Sequence, residues 1–282
     1  MADVTIRGVK VILAEFDRSV TNLTEAFESE LTAMVGTAQA AVLADLQKRL
    51  AMTRGVIDRT PANVRVLRKI DELLSAAMKR AGYQALVEEF VSTFNGSLPY
   101  FDEILDAISA ALKTPLKAKW SKTDLAVFES QQLSSMDALA SVVNGSATAT
   151  KRKALTSIGA LPYRDLVEQI VSGFGRAVPE SAGLAETSQV MFYRTVTDRG
   201  FRQIEADLPA GTVRYFYEGP SDKLTRPFCK QLLARTKREP MTRAEIDKLD
   251  NGALPNVFIS GGGFRCRHSW CVSTIEAEPK AA

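Results

Sequence analysis

Cysteine and histidine are scarce in this sequence. Its 282 residues include three cysteines and one histidine. Three cysteines are too few for a disulfide scaffold and odd in number, so reduced thiols are expected. The single histidine, His268, is followed by Ser269 and Trp270. Zinc deaminases need a His-x-Glu pattern, so their chemistry is excluded.

Long hydrophobic runs are also missing. No apolar stretch in the sequence approaches the roughly 18 residues that a membrane-spanning helix needs. The opening residues 1–4 have neither the basic nor the apolar region of a signal peptide. We therefore expect no membrane span and synthesis in a cytoplasm.

Charge of the two signs is nearly balanced, with a net charge of +3. The excess lies near the C-terminus, where residues 214–270 hold 11 Lys and Arg against 6 Asp and Glu. This part of the chain could face an anion or an acidic protein, although a solvated basic face is the simpler interpretation.

Most of the first 206 residues carry apolar side chains at intervals of three and four, which predicts a series of amphipathic helices. We place these helices at about 23–50, 61–78, 86–94, 99–112, 125–143, 162–174 and 185–206. Residues 4–16 are ambiguous between a short strand and a docking arm. Ser121 and Asp124 resemble a capping box, and the polar run 144–153 is predicted to be a loop.

A change in composition over residues 177–183, which are rich in Pro, Ser and Gly, predicts a domain boundary. After it, alternation over residues 213–217 indicates a strand, and Thr242 with Glu245 forms the capping box of a short helix at about 243–250. Further strands are predicted at 257–259 and 264–275, joined by a turn of three glycines.

These elements predict an α+β fold that is predominantly α. A multi-helix domain covers residues 1–180. A small domain over residues 185–282 holds a short antiparallel sheet and one or two helices.

The predicted strand 264–275 decides which side chains share a face, because alternate residues of a strand point to opposite sides. One face should be buried and holds Phe264, Cys266, His268, Trp270 and Val272. The other should be exposed and holds Arg265, Arg267, Ser269 and Cys271. We predict a structural cluster in which Cys229, Cys266 and His268 meet beside Trp270, while Cys271 points away.

Three kinds of chemistry fit the cysteines and the histidine. The first is a reduced structural cluster, and the second is a Cys229–Cys266 disulfide formed after release from the cell. The third is a zinc site made by Cys229, Cys266, His268 and Cys271, which are ligands of the right types. Zinc is the weaker hypothesis because there is no Cys-x-x-Cys and strand parity turns Cys271 away.

Two further functions involve residues of the same stretch. A cysteine-dependent enzyme could use Cys229 and His268 as a nucleophile and its base, although no signature of a catalytic cysteine surrounds them. A nucleic-acid or partner contact could use Arg226, Arg265 and Arg267. The glycines of residues 261–263 precede a predicted strand, so a tight turn is a better interpretation than a phosphate loop.

Three ordered blocks of sequence resemble a known family. They are Tyr215-Phe216-Tyr217-Glu218-Gly219-Pro220 with Asp222 and Thr225-Arg226-Pro227-Phe228-Cys229, then Thr242-Arg243-Ala244-Glu245-Ile246-Asp247 with Leu249-Asp250-Asn251-Gly252, and last Gly261-Gly262-Gly263-Phe264-Arg265-Cys266-Arg267-His268-Ser269-Trp270. Over about 190–272 they are similar to the C-terminal domain of tailed-phage minor head proteins, the phage Mu F-like head morphogenesis family.

The resemblance implies a non-enzymatic virion component at low copy number near the portal, which assists head assembly, DNA packaging or DNA delivery. It implies portal and other virion proteins as partners, an oligomeric arrangement within the particle, contact with packaged DNA and no cofactor. One branch of the family carries a Cys-x-x-Cys with a later His and Cys pair, which implies a metal. This sequence departs from that branch, since only Cys229 stands where the first pair would be.

Overall fold

The structure is a computed structural model and describes residues 7–112, 115–156, 162–206 and 211–275. It is mainly α-helical with two small antiparallel sheets, which confirms the predicted fold class. The helical elements before the C-terminal sheet are α1 Arg7–Arg49, α2 Pro61–Leu67, α3 Ile70–Arg80, α4 Tyr83–Ser92, a 3-10 turn Thr93–Gly96, α5 Ser97–Leu112, α6 Lys122–Thr156, α7 Tyr163–Gly175 and α8 Ala177–Ala206.

The first helix begins earlier than the sequence indicated. The prediction of a strand or an arm over residues 4–16 is wrong for the described residues from Arg7 onward, which are helical. The buried side chains Val9, Leu13, Phe16 and Val20 follow each other at three and four residues and continue the stripe of the later turns. One apolar face therefore runs along the whole helix.

A small hairpin separates α1 from α2. Strand β1 Met52–Thr53 pairs with β2 Val56–Ile57, and Gly55 takes a positive φ in the turn. The buried side-chain amide of Asn63 in α2 accepts the Ala51 N–H at 3.0 Å and donates to the Ala51 carbonyl at 2.8 Å. The predicted helix 61–78 is in fact two helices, since α2 ends at Leu67 and α3 begins at Ile70.

Residues 144–153 lie inside α6, so the predicted loop is wrong. The buried positions of this part of the helix, and of the turn after it, are small side chains, namely Ser146, Ala147, Thr150 and Ala154. Gly173 of α7 packs against Thr150 so closely that an added Cβ would lie 2.9 Å from its Oγ1. A search for large apolar residues does not detect a helix face made of alanine and threonine. Ser121 and Asp124 do form the predicted cap of α6, at 3.1 Å from the Asp124 amide to the Ser121 hydroxyl.

The composition change at residues 177–183 is not a linker, because α8 is helical from Ala177 onward. Pro179 is tolerated there because the amides of a first helical turn have no partner within the helix.

By contacts the chain divides into two units. The first comprises Met1–Thr21, Thr93–Gln132 and Glu186–Ala282, and the second comprises Asn22–Ser92 and Leu133–Ala185. The divisions fall within α1, α6 and α8. The assignment of residues 1–180 and 185–282 to separately folding domains stays a prediction.

Aromatic side chains form much of the core of the first unit. The ring of Phe16 stacks on Tyr193 with centroids 4.1 Å apart, and Phe101 meets Phe201 edge to face at 5.4 Å. Phe201 in turn contacts Tyr215 at 5.6 Å. These contacts connect α1, α5 and α8 with the sheet that carries the candidate site.

The C-terminal sheet has the order β4-β3-β5, with β3 Val213–Glu218 between β4 Met241–Thr242 and β5 Ser269–Ile275. All neighbours are antiparallel. The predicted strand at 213–217 is confirmed, and its alternating burial places Val213, Tyr215 and Tyr217 inside. Helices α9 Pro227–Thr236, α10 Arg243–Ile246 and α11 Val257–Ser260 lie between these strands in the chain.

Two strand predictions need correction. Residues 257–259 form part of the single helical turn α11 rather than a strand, because Asn251 fixes its end by donating to Ser260 Oγ and Gly261 O at 2.9 Å each. Residues 264–268 precede β5 and do not pair with it. The chain turns at Arg265, whose φ of 54° is incompatible with a strand.

No described helix has the length and apolarity that crossing a membrane requires.

Candidate functional site

Cys229, Cys266 and His268 come together at one end of the three-stranded sheet. Cys229 lies in the first turn of α9, and the other two lie between α11 and β5. The two sulfur atoms are 3.9 Å apart, and Cys266 Sγ is 3.7 Å from Nδ1 of His268. One donor atom from each of the three residues lies within 4.8 Å of the others, and all three residues are buried.

Cys266 is the centre of this Cys–Cys–His cluster. Its sulfur accepts the backbone amide of Gly262 at 3.1 Å and lies 3.3 Å from the hydroxyl of Tyr217. The hydrogen bond from Cys229 is the largest cause of a lowered pKa at Cys266, and the charge of Arg194 acts in the same direction, against the effect of burial. The same bond, together with burial, raises the pKa of Cys229. Both shifts have the direction expected when the Cys229 thiol donates to the Cys266 sulfur.

The ring of His268 is held on both of its sides. Its Nε2 lies 2.9 Å from the carbonyl oxygen of Pro220. A carbonyl can only accept, so Nε2 carries the hydrogen, and in the neutral ring Nδ1 presents its lone pair to Cys266. The ring is nearly parallel to that of Tyr217, with centroids 5.3 Å apart. Packing and hydrogen bonding together fix both the orientation and the tautomer.

Glycines allow the backbone to approach the sulfur atoms. A Cβ on Gly262 would lie 2.3 Å from Cys229 Sγ, and one on Gly261 would lie 2.9 Å from Cys266 Sγ. Gly261 also has a φ of +56°. The glycine turn is thus confirmed as a turn, and its lack of side chains makes room for the cluster.

Arg194 of α8 joins the cluster to the helix beneath it. It is 2% exposed, and its guanidinium donates to the carbonyl oxygens of Cys266 at 2.6 Å and of His268. A third bond reaches Ile259 O at 3.3 Å. These three partners are backbone carbonyls, and Nε also donates to the Ser269 hydroxyl at 3.5 Å, so this buried cation holds the irregular segment before β5 in place.

The cluster opens onto a cleft of about 300 Å³. The three arginines predicted to contact nucleic acid or a partner line the same cleft as Cys229, Cys266 and His268. Arg226 donates to Gly262 O at 3.1 Å, Arg267 pairs with Asp222 at 2.9 Å, and Arg265 lies 3.5 Å from Glu186. Each of the three already has a partner in the chain.

The two faces assigned from strand parity are only partly correct. Cys266, His268, Trp270 and Val272 are buried as expected, but Phe264 is 55% exposed because it precedes the turn at Arg265. Cys271 does point away from the cluster, and it is the β5 residue paired with Phe216 of β3. It is nevertheless 3% exposed rather than on the surface. Trp270 contacts Tyr217 at 4.8 Å and donates to Val257 O at 3.2 Å.

Sequence reasoning missed two residues of the site. Tyr217 was placed in a strand and in the first block but was given no role, and Arg194 was not singled out. The signal for Arg194 was a charge inside the run Met191-Phe192-Tyr193-Arg194-Thr195-Val196, where a buried charge must find partners.

Compared with known proteins, the chain matches no family model, no curated protein and no solved structure.

Proposed function

We propose that this protein is a non-enzymatic structural or assembly component of a tailed-phage virion, a minor head protein that acts near the portal. The proposal rests on the resemblance of the three sequence blocks and on one observation. The first and last blocks bind each other through an ion pair and through side chains that donate to backbone carbonyls. The three matching blocks thus belong to one folded segment, as a shared structural domain requires.

The contacts between these blocks are specific. Thr225 closes the turn of the first block by donating to Pro220 O at 2.9 Å, and its hydroxyl accepts the Asp222 amide at 3.0 Å. Asp222 then holds Arg267 of the last block. His268 completes the connection through Pro220 O. The residues that carry the resemblance therefore have roles in holding the segment together.

The alternative of a cysteine-dependent enzyme is less well supported. A Cys229–His268 pair would need a thiolate at Cys229, but the pKa of that thiol is raised. The thiol beside His268 Nδ1 is Cys266, which is surrounded by hydrogen-bond donors and by Gly261 and Gly262. A thiolate formed at Cys266 would be stabilised by these donors, which would make it a weaker nucleophile.

The alternative of DNA binding is also less well supported. Phosphate contact needs cationic side chains that release counterions. Arg267 and Arg265 lie beside Asp222 and Glu186, so an approaching phosphate would meet two carboxylates as well. We therefore expect no binding to duplex DNA at either low or high salt.

Mass spectrometry of purified particles tests the proposed function. In a phage or induced prophage that carries the gene, we expect the protein in the virion at a copy number far below that of the major capsid protein. Deleting the gene should reduce the yield of infectious particles. Full-titre particles without the protein, or its consistent absence from particles, would refute the proposal.

A pair of variants sharpens the test. Arg226→Ala removes the bond to the backbone of the last block, and we expect less protein in the particles. Lys230→Ala changes an exposed residue of α9 in the same stretch, and incorporation should stay normal.

A further inference from the structure

We propose that Cys229, Cys266 and His268 bind one divalent ion of the zinc class through Sγ, Sγ and Nδ1, with the fourth coordination position facing the cleft. This inference does not depend on the virion proposal, since it rests only on the geometry of the cluster. It replaces the four-ligand site considered from the sequence, because Cys271 lies on the other side of β5.

The distances between the three donor atoms fit tetrahedral zinc. Bonds of about 2.3 Å to sulfur and about 2.0 Å to nitrogen separate two sulfurs by about 3.8 Å and a sulfur from a nitrogen by about 3.5 Å. The cluster has 3.9 Å between the sulfurs and 3.7 Å between Cys266 Sγ and His268 Nδ1. The third pair, Cys229 and His268, has its donor atoms within 4.8 Å. An ion could therefore be bound after the Cys229 sulfur moves by about 1 Å, which rotation of its side chain allows.

The ring of His268 already has the orientation and hydrogen bonding of a metal ligand. In protein metal sites the ligating imidazole usually donates its other N–H to a carbonyl or a carboxylate, which fixes the tautomer and the ring direction. His268 has this arrangement, with Nε2 on Pro220 O at 2.9 Å and Nδ1 toward the sulfurs. The Tyr217 ring on its face prevents rotation away from the site.

The sulfur atoms also have the surroundings of metal ligands. Cys266 Sγ receives the Gly262 amide at 3.1 Å and lies beside the Tyr217 hydroxyl. Such outer partners are typical of coordinated thiolates. Gly261 and Gly262 leave the space near the sulfurs free of side chains, as a Cβ on either would lie within 3 Å of a sulfur.

The donor set selects the kind of ion. Two thiolates and one imidazole suit zinc better than calcium or magnesium, which prefer oxygen. Two thiolates cancel the charge of a divalent ion, so the site is neutral when the histidine is neutral.

The fourth position distinguishes this site from a closed structural one. Structural zinc sites usually have four protein ligands, while a site with three keeps a position for water or another ligand. Here the three ligands line a cleft that also holds Arg226, Arg265 and Arg267. We assign the fourth position to a water molecule or to an anionic side chain of a partner protein.

The test uses the full-length protein, reduced and freed of metal with a chelator. It is titrated with Co²⁺ and then with Zn²⁺ as competitor. We expect about one Co²⁺ per chain, with thiolate-to-cobalt charge-transfer absorption and the strong visible bands of tetrahedral coordination. Zinc should abolish both. Cys229→Ala, Cys266→Ala and His268→Ala should each lower the affinity by about 100-fold or more, since even outer-sphere changes cost about 10–100-fold.

Cys271→Ala is the matched control, because this cysteine is equally buried but lies outside the cluster. It should keep the cobalt spectrum and the affinity. Circular dichroism identifies any ligand variant that does not fold. For that case, X-ray absorption of the zinc-loaded wild type supplies an independent result, with two sulfur neighbours and two lighter ones expected.

Two outcomes overturn the proposal. One is a wild-type titration that gives no thiolate-to-cobalt absorption under reducing conditions. The other is an X-ray absorption result in which the zinc coordination shell does not contain two sulfurs, or a cobalt titration in which Cys271→Ala and Cys229→Ala lose equal affinity.

Discussion

Replacing Gly262 with alanine should destabilise the first unit through a single contact. The added Cβ would lie 2.3 Å from Cys229 Sγ, whereas its next neighbour, Cys266 Sγ, is at 3.4 Å. Ordinary carbon contacts begin at about 3.5 Å, so Cys229 Sγ must retreat by more than 1 Å. Gly262 does not have a positive φ, which means that alanine adds no backbone strain. Overpacking of this kind costs about 1–3 kcal/mol.

The sulfur that causes the clash can be removed in a second variant. Cys229→Ala alone should cost about 1 kcal/mol, the usual effect of deleting one buried heavy atom. In the double variant the Cβ meets no sulfur at residue 229, so its stability should equal that of Cys229→Ala alone. The two substitutions should therefore show a coupling energy of about 1–3 kcal/mol.

Urea unfolding followed by tryptophan fluorescence measures this coupling. Both tryptophans, Trp120 and Trp270, belong to the same unit as Gly262, so the signal reports its unfolding. A chelator in the buffer keeps metal binding out of the comparison. Strictly additive effects of the two substitutions would refute the proposed packing of the glycine turn on the sulfur.

The second unit and the capping box give three more predictions. Gly145→Ala should raise the free energy of unfolding by about 0.5–1 kcal/mol, since nothing lies near its Cβ inside α6; a loss of stability would indicate that this segment is not helical. Gly173→Ala should lower it by about 1–3 kcal/mol because the Cβ meets Thr150, and an unchanged thermal midpoint by circular dichroism would contradict that packing. Glu245→Ala should cost about 0.3–1.5 kcal/mol at pH 7. The bonds to the Thr242 backbone and hydroxyl lower the pKa of Glu245, so this contribution is present above about pH 4.3 and is lost as the pH falls through the lower folded value. A difference from wild type that does not narrow in acid would count against the cap.

Local signals explain what could be predicted from the sequence. The caps at Ser121 and Thr242 depend on residues three positions apart, and such short-range patterns are visible in one sequence. The strand at residues 213–217 was also recognisable from its alternation. Errors arose where a helix face consists of small residues, as at residues 144–153, or where a single residue turns the chain, as at Arg265.

The cluster was predicted for a reason that is only partly the right one. The prediction placed Cys266 and His268 on one face because alternate residues of a strand share a face. In the structure, residues 264–268 are not paired in the sheet. A turn and the guanidinium of Arg194, which is 72 positions from Cys266, hold them instead. Nothing in a single sequence shows that Cys271 is buried, because burial of a second sheet face depends on distant packing.

The discontinuous first unit has a consequence for how the protein is made. Phe16 of α1 stacks on Tyr193 of α8. The N-terminal turns of α1 therefore cannot pack in their final position until residues synthesised much later have emerged. The second unit, Asn22–Ser92 with Leu133–Ala185, is complete on the ribosome before the first, whose last strand β5 ends at Ile275. During translation the early apolar face of α1, including Phe16, stays without its final neighbours. We expect a pause or a truncation after Ala185 and before Tyr193 to yield a chain whose second unit is folded and whose N-terminal segment is sensitive to proteases.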